Sequence, residues 1–224
     1  MTLKEKRERM QAVVEALKTL YPVAECALEY EGDAWRLLVM GRLSAQCTDA
    51  RVNVVCKELF TKYPTAADMA AADIEELERI VRPCGLYRVK ADNLREASRL
   101  LVERYGGVLP DTMEELLTFP GVGRKIANLL LGDIFGYDAV VCDTHCMRIC
   151  GRLGFYPEAL RDPVRIERLL RPIMPAGEGS DFCHRIVWLG REVCTARSPR
   201  CGACALRSLC THAEREEAKA CAND

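Results

Sequence analysis

The sequence has no apolar run long enough to cross a bilayer, and its 224 residues carry a formal net charge of only −1. The first absence excludes a membrane-spanning helix. The second excludes a general attraction to phosphate polymers, so any contact with nucleic acid has to come from a local basic patch. The first twenty residues mix Lys and Arg with Glu at helical spacing, unlike a secretion signal or an acid-poor transit peptide. We therefore expect a cytoplasmic protein.

Strand-like alternation, internal repeats and low-complexity segments are also missing from the sequence. Apolar residues instead recur every three or four positions, and proline or glycine follows such segments, as at Pro22, Gly106 and Pro172. This pattern predicts an all-α fold of about ten helices joined by short turns. Residues 139–142 are the exception, because they are apolar but too few for a helix. We expect them to form a buried extended connector.

Cysteine, by contrast, is abundant. Thirteen cysteines, an odd number without a secretion signal, argue against a disulfide framework and for a reducing compartment in which some thiols hold metal. Four of them follow the spacing C-x6-C-x2-C-x5-C, namely Cys194, Cys201, Cys204 and Cys210. Thiolate chemistry alone leaves zinc and an iron–sulfur cluster open for this segment. A second metal site is one alternative for Cys142, His145, Cys146 and Cys150, but Cys146 and Cys150 lie one helical turn apart, which indicates buried thiols instead.

The stretch "LTFPGVGRKIANLLL" places two glycines and a lysine at the start of an apolar helix. Gly121 and Gly123 permit close backbone approach, and the helix behind them presents unpaired N–H groups, an arrangement that suits phosphate. Such glycines alone would more simply form a helix-to-helix turn. The helix dipole and Arg124 disfavour an added positive charge at Lys125, and an accessible neutral amine can form a Schiff base. In isolation Lys125 would be a solvated lysine or a phosphate contact.

A second motif, "VVCDTHCMRIC", places Asp143 directly before a helix, where by itself it is an N-cap. The "PGVGRK" hairpin resembles the helix-hairpin-helix of DNA-repair glycosylases. Together with "DTH" it forms the paired motif of the endonuclease III family, which the chain resembles from about Glu29 to Cys210. The resemblance implies that Lys125 is the nucleophile. It also implies that Asp143 is the catalytic carboxylate, which would stabilise positive charge on the deoxyribose.

The resemblance assigns further contacts with DNA and a cofactor. It implies that Gly121, Val122 and Gly123 grip the DNA backbone without reading its sequence. The four spaced cysteines would hold a [4Fe–4S] cluster, and Arg197 and Arg200, between the first two of them, would lie against phosphate. The partner implied is therefore damaged double-stranded DNA.

Two loops resemble the family's DNA-wedging elements. Gln46 in "RLSAQCTD" and Leu86 in "CGLYRVKADN" would insert into the base stack where the damaged nucleotide leaves. Because flipping a nucleotide costs a few kcal/mol, a side chain that fills the gap makes physical sense. Alone, they would be an ordinary surface glutamine and a core leucine. The chain departs from the usual family residues at four positions, Arg42, Cys84, Phe119 and Ile126.

The implied protein is all-α, with a helix-hairpin-helix DNA glycosylase fold. A six-helix barrel domain would span 26–137, and residues 1–25 with 138–224 would form an iron–sulfur cluster domain. The implied activity is that of a monomeric, nucleoid-associated DNA glycosylase and AP lyase of base excision repair, which removes oxidised or ring-saturated pyrimidines and nicks by β-elimination. One alternative is an adenine-mismatch glycosylase, although that branch generally lacks the counterpart of Lys125. The other is a non-catalytic iron–sulfur DNA-binding or redox-sensing protein, which would bind DNA without cleaving it.

Overall fold

The structure, a computed structural model, describes residues 1–222. Over this range it contains twelve α-helices, four short 3₁₀ helices and no β-strand, which confirms the all-α prediction. The α-helices are α1 (Leu3–Leu20), α2 (Ala34–Leu43), α3 (Asp49–Lys62), α4 (Ala66–Ala70), α5 (Ile74–Val81), α6 (Tyr87–Tyr105), α7 (Met113–Leu116), α8 (Arg124–Asp133), α9 (Thr144–Arg152), α10 (Pro163–Leu170), α11 (Gly179–Glu192) and α12 (Thr211–Ala222). No helix in this range is long and apolar enough to span a membrane.

The chain divides into two compact units, one formed by residues 26–136 and the other by residues 1–25 with the chain from Tyr137 onward. In the 26–136 unit, α4 and α5 pack on α6, α3 packs on α5, and α2 packs on α8. The approach of α8 to α2 depends on Gly41, since a Cβ there would lie 3.3 Å from Cγ2 of Ile126. This contact holds the helix that follows the glycine hairpin.

In the other unit, α1 and α9 pack on α11, and α12 packs on α9. Two basic side chains of α1 donate hydrogen bonds to backbone carbonyls after α9. Nζ of Lys6 reaches the carbonyl of Phe155 at 2.8 Å, and Nη1 of Arg9 reaches that of Leu153 at 3.0 Å. These contacts join the N-terminal helix to residues far along the chain.

The connector before α9 is irregular and buried, as predicted for residues 139–142. The carboxylate of Asp138 accepts hydrogen bonds from the N–H groups of Gly177 at 3.1 Å and Gly179 at 2.9 Å. A Cβ on Gly179 would lie 2.5 Å from the carbonyl oxygen of Ala139, so this close approach requires glycine. The connector therefore enters α9 in a defined position and places Asp143 at its end.

Candidate functional site

The glycine hairpin between α7 and α8 is a tight turn with an open helix end. The N–H of Val122 donates to the carbonyl of Phe119 at 3.0 Å, and Gly121 has a φ of 77°. Gly123 is the N-cap of α8 and, because it has no side chain, it gives the first turn of this helix no side-chain cap. Because a Cβ on Gly123 would meet nothing within 4 Å, the approach to the N–H groups of this turn is open.

Lys125 is the second residue of α8, and its side chain is exposed. No hydrogen bond or ion pair ties it to any residue of the described range. Its neighbours in the turn point inward, since Val122 and Ile126 are buried. The backbone is thus anchored while the amine stays accessible to a ligand.

Asp143 is the N-cap of α9, as its sequence position indicates. Its Oδ1 accepts a hydrogen bond from the backbone N–H of Cys146 at 2.7 Å, and the residue is half-buried. Oδ2 has no hydrogen-bond partner among residues 1–222. The cap therefore orients the carboxylate and leaves one oxygen for another role.

Gln46 and Leu86 lie in two loops of the 26–136 unit, and both are exposed, Leu86 by 55%. Both residues also adopt the left-handed backbone region, with φ values of 55° and 48°. This region costs a non-glycine residue roughly 1–2 kcal/mol. The exposure of Leu86 shows that the alternative reading of it as a core leucine is wrong. The backbone of each loop is therefore strained at Gln46 or Leu86, and the side chain of that residue is directed to solvent.

The four positions at which the sequence departs from the usual family residues all lie in the 26–136 unit. Cys84, Phe119 and Ile126 are buried, and the ring of Phe119 stacks on that of Tyr105 with centroids 5.4 Å apart. Arg42 is half-buried, burial lowers its pKa, and its Nε is buried without a hydrogen-bond partner in the described range. Three of the four departures thus change packing rather than a surface that could meet DNA.

The four spaced cysteines line one cavity with about 300 Å³ of empty space, part of it open to solvent. Among the described residues, no three of their sulfur atoms lie all within 4.8 Å of one another. Four thiolates around one cavity form a ligand set that suits an iron–sulfur cluster as well as a structural zinc ion.

Burial and backbone N–H groups act in opposite directions on the pKa of two of the four thiols. Burial raises the pKa of the Cys204 thiol, and it also raises the pKa of the Cys210 thiol. Backbone N–H groups oppose this effect, from Leu206 toward Cys204 and from His212 and Ala213 toward Cys210. A metal has to displace the thiol protons, and these N–H groups then stabilise the thiolates.

Two arginines of α9, which the sequence interpretation did not identify, hold the first part of the cysteine segment. The guanidinium of Arg152 donates to Sγ of Cys194 at 3.2 Å and to the carbonyls of Thr195 at 2.8 Å and Ala196 at 3.0 Å. Nη2 of Arg148 donates to the carbonyl of Cys194 at 2.9 Å. The available signal was two arginines one helical turn apart in "MRICGR".

The two arginines predicted to meet phosphate differ in their surroundings. Arg197 is exposed and has no partner among the described residues. Arg200 is also exposed, but its guanidinium donates to the carbonyl of Glu192. Arg197 is therefore the more available cation of this loop.

The cysteines of α9 and the preceding connector are structural thiols. Cys142, Cys146 and Cys150 are all buried, and the sulfurs of Cys146 and Cys150 lie 4.0 Å apart within one turn of helix. Hydrogen bonds with the neighbouring thiols of Cys142, Cys150 and Cys183, together with burial, raise the pKa of Cys146 well above its usual range. The prediction of buried thiols is confirmed.

Two segments of this chain match families of known proteins. Residues 39–175 match the HhH-GPD superfamily of base excision DNA repair proteins, and residues 194–210 match the iron–sulfur binding domain of endonuclease III. Endonuclease III of Synechocystis sp. is 45% identical over 210 residues, which cover 93% of this chain and 94% of the relative. A non-covalent Endonuclease III–DNA complex has a TM-score of 0.88 at 38% identity, covering 95% of this chain and 98% of the solved one.

A trapped covalent Endonuclease III–DNA intermediate is equally similar, with a TM-score of 0.88 at 38% identity over 94% of this chain and 98% of the solved one. The match to residues 194–210 begins and ends on the outer two of the four spaced cysteines, and the protein carries an iron–sulfur cluster. With this extent of identity and this fold, the chain belongs to the endonuclease III family of base excision DNA repair proteins.

Proposed function

We propose that this protein excises oxidised or ring-saturated pyrimidines from damaged double-stranded DNA and nicks the strand through Lys125 by β-elimination. The observation that carries the proposal is the exposed amine of Lys125, free of any partner in the described range, behind an uncapped helix end. The covalent DNA intermediate of a relative with 38% identity supports the same chemistry here. The preference for pyrimidines rests on family membership.

The reaction begins with the neutral amine of Lys125. Its lone pair bonds to C1′ of the damaged nucleotide while the glycosidic bond breaks, and the base leaves with the bonding pair and takes up a proton. The ammonium formed at C1′ gives up a proton, the C1′–O4′ bond breaks as O4′ takes up a proton, and a protonated imine results. Removal of a C2′ proton then gives an enamine that expels the 3′ phosphate, and water hydrolyses the imine to release Lys125. We assign Asp143 to stabilisation of positive charge on the deoxyribose as the base departs, through the oxygen that the cap leaves unused.

Backbone groups of the hairpin would hold the DNA phosphate. Uncapped N–H groups at the start of α8, beside Gly121 and Gly123, can donate to phosphate oxygens without contacting a base edge. We place Arg197 against a second phosphate, with Arg200 nearby in a less available position. With a net charge of −1, binding depends on these local contacts, and we expect it to weaken as salt rises.

The two hairpin glycines give a matched pair of variants. We expect Gly121→Ala to lower the free energy of unfolding by about 1–2 kcal/mol, because its φ is 77° and the new Cβ would lie 2.6 Å from Cδ of Arg42. Gly123→Ala should cost less than about 1 kcal/mol, since its φ is −103° and its Cβ meets nothing. Gly123→Ala should instead weaken DNA binding several-fold, by obstructing the uncapped N–H groups.

Chemical denaturation and fluorescence anisotropy with a duplex that contains an abasic analogue would measure the two effects. Equal destabilisation by both substitutions would contradict the backbone argument. Unchanged affinity in Gly123→Ala would remove the hairpin from the DNA interface.

For the wedges, we expect Leu86→Ala and Gln46→Ala each to weaken excision from duplex DNA by about 1–3 kcal/mol, comparable with a lost stacking contact. The effect on single-stranded abasic DNA should be smaller, because no stack has to be filled there. Single-turnover rates on the two substrates measure the difference.

Leu86 is 55% exposed, so its truncation should hardly change the melting temperature. Val89→Ala is the matched control, since Val89 is another apolar residue of this region with 59% exposure. Equal rate losses on duplex and single-stranded DNA for Leu86→Ala would rule out a wedge.

We place the [4Fe–4S] cluster on Cys194, Cys201, Cys204 and Cys210. When bound, it supplies four metal–thiolate bonds that cross-link a segment with little core of its own. The protein's own contribution is to orient the segment through the Arg152 contacts with Cys194 and its neighbours. Arg197 is then carried on a fixed loop.

We further assign residues 26–137 to the six-helix barrel domain and residues 1–25 with 138–224 to the cluster domain. We propose that the protein acts as a monomer on nucleoid DNA in the cytoplasm. Sedimentation velocity with and without a duplex would test the stoichiometry. One bound protein per lesion is the expected result.

A single substrate panel tests the proposed function. Purified protein is incubated with duplexes that contain thymine glycol, dihydrouracil, an abasic site, or adenine opposite oxidised guanine. We expect nicking of the first three with β-elimination products. Removal of adenine without nicking would identify a mismatch glycosylase, and binding without cleavage of any duplex would identify a non-catalytic protein.

A further inference from the structure

We propose that Lys90 is a positioning residue that fastens together the two loops that present Gln46 and Leu86. The inference rests on the proposed function, because it concerns the two residues assigned there as wedges. Lys90 lies in the first turn of α6 and is completely buried. Nothing in the proposed chemistry uses its amine directly.

The amine of Lys90 makes three hydrogen bonds, all to backbone carbonyls. Nζ donates to Leu43 at 2.8 Å, to Ala45 at 2.7 Å and to Cys84 at 2.8 Å. An ammonium group has three N–H donors and a neutral amine has only two, so this set of acceptors fits the charged form. The three bonds use the full donor capacity of the side chain.

These carbonyls come from both wedge loops. Ala45 immediately precedes Gln46, and Cys84 is separated from Leu86 only by Gly85. The two bonded segments are 45 and 6 residues away from Lys90 in sequence. One buried cation therefore joins the two loops, which also meet through the thiols of Cys47 and Cys84.

The strained backbone conformation of each loop explains why these hydrogen bonds are needed. Gln46 and Leu86 are left-handed at φ values of 55° and 48°, and Gly85 has φ 69° and ψ 163°, a region that essentially only glycine occupies. Strained conformations of this kind persist only where the surroundings fix them. Neither wedge side chain is buried, so packing of the wedges themselves cannot do so.

A purely structural role explains these contacts less well. The carbonyl of Leu43 lies at the C-terminal end of α2 and needs a donor, but a water or a neutral side chain could supply it. Burial lowers the pKa of Lys90, and a buried charge is costly unless its geometry is well satisfied. A charged group that reaches into two separate loops is better explained by the need to hold them in register.

The test compares Lys90→Met with wild-type protein. Methionine retains an apolar stem of similar length and removes all three donors. We expect about a tenfold or greater loss of single-turnover excision from a thymine glycol duplex, with less than about a threefold loss of lyase activity on single-stranded abasic DNA. The ratio of the two rates is the diagnostic quantity. Lys90→Gln, with two donors, should give an intermediate ratio and guards against a variant that fails to fold.

A second measurement reports on wedging without chemistry. The Lys125→Ala variant is bound to a duplex in which 2-aminopurine is the partner base opposite the lesion. The fluorescence of 2-aminopurine should increase when this base is unstacked. Lys90→Met should reduce this increase at saturating protein. A loss of fluorescence response without a matching loss of bound protein is not expected from general destabilisation.

Two variants serve as matched controls. Leu94→Ala removes a fully buried side chain one turn further along α6 and controls for stability. Lys57→Met removes a lysine whose side chain is 75% exposed and controls for charge. All assays are run well below the lowest melting temperature in the set.

The outcomes separate the inference from the function on which it rests. If Lys90→Met lowers both rates in proportion, as expected for Leu94→Ala, or leaves their ratio at the wild-type value, Lys90 does not position the wedges. If Leu86→Ala and Gln46→Ala also leave the ratio unchanged, the wedge assignment itself fails. A changed ratio in all three variants supports both.

Discussion

Lys125→Ala is expected to abolish the covalent adduct that borohydride traps with abasic DNA, and to lower strand cleavage by about 10³-fold or more. The amine supplies both the bond to C1′ and the imine through which elimination occurs. Its loss therefore removes the reaction path itself and not only a contact with DNA. Because Lys125 is exposed and has no partner in the described range, truncation should leave the helical content and melting temperature unchanged.

Arg124→Ala is the matched control for this experiment. It removes one positive charge from the same turn of α8 and should retain the adduct at saturating protein, although DNA affinity falls. Denaturing gels of the trapped products would compare the variants. An undiminished adduct in Lys125→Ala would redirect the search to another amine, such as the N-terminus.

Cys201→Ala should lose iron and sulfide together with the broad visible absorbance, and should be destabilised by more than about 4 kcal/mol, with a matching loss of soluble yield. The reason is that segment 194–210 has little regular structure and few buried residues. Its only regular structures are 3₁₀ helices at Cys201–Ala203 and Arg207–Leu209, and within this fully described segment Leu206 alone is buried. Removing one ligand leaves the segment with almost no core, and only its first residues are still held by Arg148 and Arg152.

Metal and sulfide analysis of anaerobically purified protein, with thermal melts, would measure this loss. Cys221→Ala is the control, because Cys221 is exposed on α12 and lies outside the spaced set. It should retain the cluster in full. Stoichiometric zinc without sulfide in the wild-type protein would contradict the assignment.

Local features of this protein were predictable from the sequence by itself. Helical periodicity, the N-cap at Asp143 and the tight turn at Gly121 depend on residues within one or two helical turns of each other. The cysteine spacing indicated a metal segment for the same reason, since its ligands lie close together in sequence. The short helix α4, of five residues, was not separately predicted, because so few residues give no periodic signal.

Other features were decided only by the tertiary structure. Leu86 reads as a core leucine by type, yet the turn at Gly85 directs it to solvent in a left-handed conformation. In the sequence Lys90 resembles any other lysine of a helix, yet it is buried against carbonyls that lie up to 47 residues away in sequence. Likewise, Arg152 reaches the sulfur of Cys194 across 42 residues. A lysine or arginine has the same sequence pattern whether its head meets water or a distant carbonyl, because chain packing alone determines which carbonyls come within hydrogen-bonding distance.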